Sequence, residues 1–176
     1  MTIHQVTERF ILRDIEFIDA KDIYELDSDP DVHEFLGKNP LKTIEEAEAI
    51  IDYIRKQYTD WGIGRWAIID KTDQAFVGWT GLKYETVLRN EFNYYDLGYR
   101  LKKKYWRKKI ATETALAAVD YGFNELNLKQ IGGAADIDHI VSNKVLQKVG
   151  LKFVDTFTYD DSLCNWYNLK KEDYRK

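Results

Sequence analysis

Asn93-Tyr-Tyr-Asp-Leu-Gly-Tyr-Arg-Leu101 is followed by Lys102-Lys-Lys-Tyr-Trp-Arg-Lys-Lys109, then by Ile110-Ala-Thr-Glu113 and an amphipathic segment that reaches Tyr121-Gly-Phe123. The pattern is a strand that enters a dense basic turn, and a helix that opens directly from the turn. The first N–H groups of a helix have no intrahelical partner, and the aligned peptide dipoles place partial positive charge there. Such a junction can hold an anion, phosphate above all. A solvated basic loop is the competing explanation of the same charge run.

Working outward, the helix carries Ala111, Ala115, Leu116, Val119, Phe123 and Leu126 on one face. Upstream, Arg65 to Asp70, Ala75 to Val87 and Phe92 to Leu101 read as an antiparallel meander, with Gly78 and Gly81 marking a bulge or a close approach. Before it come a first strand at Glu8 to Arg13, a short helix at Asp19 to Leu26 and a helical turn at Asp31 to Leu36. A longer helix starts at the capping-box pattern Thr43-Ile-Glu-Glu46 and stops at Gly62. Downstream lie a small-residue strand at Lys129 to Ala135 and a helix at Ser142 to Val149 ended by Gly150. A hairpin of Lys152 to Thr158 and Asn165 to Lys170 closes the chain around the polar loop Tyr159 to Leu163. The order β-α-α-β-β-β-α-β-α-β-β predicts one α+β domain over residues 1–176, with a mixed, mostly antiparallel twisted sheet flanked by helices.

Composition narrows the function. A chain of 176 residues with 44% hydrophobic and 32% charged residues is ordinary for a globular domain. The net charge of -4 argues against general nucleic-acid binding and sets the basic run on an acidic background. Cys164 stands alone and His4, His33 and His139 are scattered, so no metal is expected. The N-terminus lacks the apolar core of a signal peptide, and no apolar run approaches the ~20 residues that span a bilayer. The expected location is cytoplasmic.

In this order the residues resemble the GNAT superfamily of acyl-CoA N-acyltransferases, and within it the branch of the ribosomal-protein-alanine N-acetyltransferases. Thr7 to Arg13 is similar to that branch's first strand, and Phe76-Val-Gly-Trp-Thr-Gly-Leu82 to its third segment. Asp96-Leu-Gly-Tyr-Arg-Leu101, Tyr105-Trp106 and Ile110 to Glu113 resemble its cofactor-binding core, and Ser142 to Gly150 the helix that closes the site. The resemblance implies acetyl-CoA as co-substrate, held in a splay between the strand ending at Leu101 and the strand at Lys129 to Ala135. It implies pantetheine contacts from the backbone of Leu97, Tyr99 and Leu101, and pyrophosphate on the turn Trp106, Arg107, Lys108, Lys109, Ile110, Ala111 and Thr112. The acceptor amine would attack the thioester directly, giving a tetrahedral oxyanion that a free strand N–H can stabilise.

Two positions depart from the branch. Its turn usually reads Trp-Gly-Lys-Gly-x-Ala, and here Arg107 and Lys109 stand where glycines are expected. A lysine can serve there if its dihedrals stay in the helical region, with its side chain outward or over the phosphates. His139 stands where Asn is usual and can donate one hydrogen bond to pantetheine, or simply start the helix on the surface.

Asp96 matches the position of the branch's Glu and is the candidate general base; an ion pair with a neighbouring Arg or Lys is the alternative. Ser142 is the candidate to protonate the leaving thiolate or orient the sulfur, alongside a role as N-cap. Trp66, Trp79, Tyr94 and Tyr99 are read mainly as core, with one or two able to touch the acceptor. Asp27-Ser-Asp-Pro-Asp31 with Glu34 could recruit a cationic amine, but is read first as a solvated connection between helices. The leading function is an N-acetyltransferase acting on a primary amine: a protein N-terminus, a polyamine or a small metabolite. The alternatives are a catalytically weak GNAT-fold protein that binds CoA or another nucleotide, and an RNA- or ribosome-associated module. Strands near the C-terminus offer an edge for a homodimer.

Overall fold

Phe10 and Leu12 are buried while their neighbours are half-exposed, and this period-two pattern makes Phe10–Asp14 a strand, β2. It pairs with a shorter strand ahead of it, β1 (Ile3–Val6), which is exposed at both ends, half-buried at His4 and Gln5, and shows no such pattern. The computed structural model describes residues 1–174. The remaining strands are β3 (Trp66–Asp70), β4 (Phe76–Glu85), β5 (Tyr94–Leu101), β6 (Gln130–Asp136), β7 (Lys152–Tyr159) and β8 (Ser162–Lys170). They form one eight-stranded sheet in the order β1-β2-β3-β4-β5-β6-β8-β7.

Every neighbouring pair is antiparallel except β5 and β6, which run parallel and are registered at a single pair, Asp96 with Gly132. The expected splay is therefore present. β5 continues to Leu101 and β6 to Asp136 without further registered pairs, and the sheet opens between them.

Helices cover both faces. α1 (Ala20–Asp27) and α2 (Ile44–Trp61) bury Ile23, Leu26, Ala47, Ile51 and Ile54 against Ala67, Ile69 and Phe76. α3 (Ile110–Asn124) and α4 (Ile140–Lys148) bury Ala115, Val119, Phe123, Val145 and Leu146 against the other face, with Leu12, Ile68, Leu97 and Ile131. β3 feeds both cores and is apolar almost throughout, as a strand covered on two sides must be.

The α2 start is as expected: Thr43 Oγ1 accepts from the Glu46 N–H, and Glu46 Oε2 accepts from the Thr43 N–H (3.4 and 3.2 Å). Gly62, left-handed at φ 67°, ends the helix.

Several expectations are corrected. β1 adds a strand that its sequence does not signal. The helical turn at Asp31 to Leu36, by contrast, is present as successive turns, with the Leu36 N–H donating to the His33 carbonyl (3.0 Å) and Gly37 at positive φ after it. Leu116 is exposed; Ala118 and Gly122 hold the buried stripe of α3 instead. The polar loop at Tyr159 to Leu163 is a two-residue hairpin turn, with Asp160 and Asp161 both at positive φ, the geometry that suits the twist of the flanking strands. α4 starts two residues before Ser142, which is thus its third helical residue and not its N-cap; His139 occupies that position. The sheet edges are β1 and β7, so the C-terminal hairpin does present an edge, through its first strand, with β8 inside.

Candidate active site

The basic turn lies at one mouth of the splay. The Lys102 N–H donates to the Val77 carbonyl at 3.0 Å, which fixes the phase of β5. Alternate residues of an antiparallel strand turn their backbone groups to the same neighbour. Even-numbered residues of β5 therefore bond β4, and Leu97, Tyr99 and Leu101 direct theirs towards β6 and the opening. The Leu101 carbonyl is already engaged by Trp106 Nε1 at 2.9 Å, which folds the turn back onto the strand end.

After Trp106 the backbone departs from the conditional expectation. Arg107 (φ 62°) and Lys109 (φ 59°, ψ 15°) are both left-handed, not helical. The chain thus keeps the conformation that glycine would adopt at both positions, at a steric cost to side chains with a Cβ. Among the described residues, the N–H groups of Arg107, Lys108 and Lys109 donate to nothing, and those of Ile110, Ala111 and Thr112 form the unpartnered first turn of α3. Six consecutive N–H groups gather here, the arrangement that binds anions.

The charges of the run divide in two. Lys102 is bound by Asp22 and Glu25 (2.7 Å each), Lys104 approaches Glu25 at 3.9 Å, and Lys103 pairs with Asp31. Arg107, Lys108 and Lys109 are exposed and form no ion pair among the described residues. The uncompensated positive charge is therefore confined to the turn itself.

On the α3 and α4 side of the opening, Tyr99 Oη donates to the Ser142 carbonyl at 2.8 Å and lies 3.1 Å from Ser142 Oγ. Burial holds the Tyr99 phenol well above its ordinary pKa, so it stays protonated. Asn143 beside it ties the elements together. Its amide donates to the carbonyls of Asp136 (2.8 Å) and His139 (2.9 Å), while its oxygen accepts from Asn165 and Tyr167. His139 stacks on Phe35 from the α1–α2 connection, with centroids 4.6 Å apart, and burial lowers its pKa.

On the α1 and α2 side is a cavity of about 470 Å³ lined by Asp27, Arg65, Trp79, Lys83, Glu85, Asp96, Arg100, Asp136 and Cys164, among others. Three ion pairs fill it. Arg65 Nη2 meets Asp96 Oδ2 at 2.5 Å, Lys83 meets Glu85 at 2.6 Å, and Arg100 meets Asp27 at 2.6 Å. The guanidinium groups of Arg65 and Arg100 both lie over the Trp79 ring. Burial pushes the Asp96 carboxyl up, against the opposing pull of Arg65 and Lys83. The ion-pair alternative for Asp96 is thus realised, and the same carboxylate faces the cavity.

Asp27 is buried, which corrects the reading of its segment as a solvated connection; Asp29 is half-buried, and Asp31 and Glu34 are exposed as that reading expects. Of the four aromatic candidates only Trp79 lines the cavity. Trp66 and Tyr94 are core, and Tyr99 serves the other side. Asp27 belongs to the acidic segment that the sequence offers as a recruiter of a cationic amine, and it lines the cavity. Arg65 and Arg100 are not site candidates from sequence: the strand alternation of Asp96 and Arg100 is the one signal that places Arg100, whereas Arg65 arrives through tertiary packing.

The model for the acetyltransferase (GNAT) domain matches residues 9–152. An uncharacterized N-acetyltransferase of Bacillus subtilis, YoaA, is 30% identical, the match covering 83% of this chain and 81% of that protein. RimL, a ribosomal L7/L12 alpha-N-protein acetyltransferase in complex with coenzyme A, superposes with a TM-score of 0.78 at 13% identity, over 96% of this chain and 98% of that one. Spermidine N-acetyltransferase from Vibrio cholerae, in complex with CoA and spermine, superposes with a TM-score of 0.75 at 16% identity, over 93% and 96%.

Proposed function

Since this chain belongs to the GNAT acetyltransferase family, we propose that it is an acetyl-CoA-dependent N-acetyltransferase whose acceptor is a primary amine: a protein N-terminus, a polyamine or a small metabolite. The observation that carries this reading is the opening of the sheet beyond Asp96 and Gly132, with an anion-ready turn on one side and a charged cavity on the other. Acetyl-CoA, when bound, supplies the activated acetyl thioester. The backbone groups of Leu97, Tyr99 and Leu101 line the opening for its pantetheine arm, with His139 near its far wall. The N–H groups of Arg107 to Thr112 receive the pyrophosphate, and Trp106 keeps the turn folded. Fold neighbours that hold CoA, one of them together with spermine, support the pairing of a CoA donor with an amine acceptor.

In the cavity, Asp96 attracts the acceptor ammonium and takes its proton, directly or through a water. Arg65 keeps the carboxylate ionised and oriented against the cost of burial. The Ser142 hydroxyl, held by Tyr99, orients the sulfur or protonates it as it leaves. Direct transfer fits better than an acyl-cysteine route, because burial and Asp136 push the Cys164 thiol up and disfavour its thiolate.

The missing glycines favour a second reading, a protein that binds CoA with little turnover. The retained left-handed backbone at Arg107 and Lys109 weighs against it. Calorimetric titration with acetyl-CoA, followed by thiol release across a panel of peptide, polyamine and small primary amines, tests both. No binding overturns the proposal; binding without thiol release on any amine selects the second reading.

A further inference from the structure

The left-handed turn is braced from the opposite end of the chain. Glu113, in the first turn of α3, accepts from Thr7 Oγ1 (2.7 Å), the Arg9 backbone N–H (3.1 Å) and Arg9 Nε (2.7 Å). So oriented, Arg9 extends Nη2 to the Lys108 carbonyl at 3.1 Å. Lys108 stands between the two left-handed residues. A peptide unit is planar and trans, so its carbonyl and the following N–H point in opposite directions. Drawing the Lys108 carbonyl towards Arg9 therefore turns the Lys109 N–H to the opposite side of the turn. At Arg107 and Lys109 the side chains themselves favour other conformations, and an external contact has to hold this one.

We infer that Arg9 is a positioning residue for the anion-binding turn: through the Lys108 carbonyl it holds the Lys109 N–H in place for a pyrophosphate, the task that glycines at 107 and 109 would perform by conformational freedom alone. The inference rests on the reading of the turn as the pyrophosphate site. Arg9 touches no reacting atom. It acts on the affinity for a diphosphate-bearing acyl donor and leaves acyl transfer itself alone.

The test uses full-length protein and two donors, acetyl-CoA and acetyl-pantetheine, the second of which lacks the pyrophosphate. Arg9→Ala is expected to weaken acetyl-CoA binding by about tenfold in calorimetry, the scale of one lost charge-assisted hydrogen-bond geometry. It should leave kcat/KM for acetyl-pantetheine unchanged. Arg9→Lys keeps a cation beside Glu113 but lacks the fork that reaches both partners, so it should bind acetyl-CoA as weakly as Arg9→Ala while melting like the wild type. Adding Lys109→Gly should restore most of the lost affinity. In the ligand-free protein, backbone order parameters at residues 107–110 should fall in both Arg9 variants. Unchanged order parameters there, or equal losses with both donors, overturn the inference. A wild-type protein that does not bind acetyl-CoA overturns the parent reading instead, and the order parameters still judge the brace.

Discussion

Arg65 and Asp96 meet across the bare α-carbon of Gly98. Arg65 Nη2 donates to Asp96 Oδ2 at 2.5 Å, and a Cβ built on Gly98 would lie 2.5 Å from that same nitrogen. Nη1 also donates to the Gly81 carbonyl (2.5 Å) and the Asp96 carbonyl (2.7 Å), so the guanidinium has little room to retreat. Gly98→Ala should therefore displace Arg65. We expect a loss of about 1–3 kcal/mol, the usual range for overpacking a buried site, read by chemical denaturation, with reduced acetyl transfer. A variant with wild-type stability and activity would show that the pair does not depend on this gap.

Asp96→Asn removes the charge while keeping the shape. If Asp96 takes the proton, turnover should fall by about a hundredfold, at the low end of what a positioned base contributes. The limb of the pH–rate profile that rises with pH should also flatten. Because burial raises this carboxyl, the limb is expected above the ordinary aspartate range. A profile with the wild-type shape would leave Asp96 a structural partner of Arg65 only.

Arg107→Gly and Lys109→Gly should each stabilise the protein. A left-handed residue with a Cβ costs roughly 1–2 kcal/mol, and glycine returns part of that relief through its greater freedom in the unfolded chain, about 0.5–1 kcal/mol. A net gain of about 0.5–1 kcal/mol per site follows, measured as a higher denaturation midpoint with unchanged m-value. Losses in both variants would mean that the long side chains contribute contacts that outweigh the backbone cost.

Much of this was legible in the sequence where local pattern governs. The capping box at Thr43, the Gly62 stop and the amphipathic run of α3 encode their elements directly. The parallel contact of β5 and β6 was reached through the resemblance, since no local pattern announces a splay. β1 was missed because an exposed edge strand needs no alternation. The α4 start was misplaced because Ser142 is a favoured capping residue, whereas the structure puts His139 in that position with no side-chain cap. The Lys102 to Lys109 run looked uniform, yet its first three lysines are neutralised by Asp22, Glu25 and Asp31, partners 72 or more residues away. Nothing in the run itself marks that division.

The displaced helix start changes what Ser142→Ala should do. With no capping bond to lose, its stability should stay within about 0.5 kcal/mol of wild type. Tyr99→Phe removes a buried donor to the Ser142 carbonyl and should cost about 1 kcal/mol. If the hydroxyl pair serves the leaving sulfur, both variants should lower kcat with little change in the KM for acetyl-CoA. A rise in KM alone would mark the pair as part of the cofactor wall.

The acid limb of stability offers an independent reading of the Glu113 contacts. Burial opposes the charged form of Glu113, but the hydrogen bonds from Thr7 and Arg9 outweigh it, and the carboxyl sits below its ordinary value of about 4.3. A carboxyl depressed in the folded state binds fewer protons there than in the unfolded chain across the interval between the two pKa values. Its contribution to stability is thus complete above the unfolded value and disappears as pH falls through the folded one. Glu113→Gln should therefore be less stable than wild type at pH 7, and the two should converge as pH falls through the lowered pKa of the folded carboxyl. Denaturant melts at pH 7, 5 and 3.5 check this. A difference that stays constant over the whole range would assign the loss to shape or helix propensity and not to the charge that Thr7 and Arg9 hold.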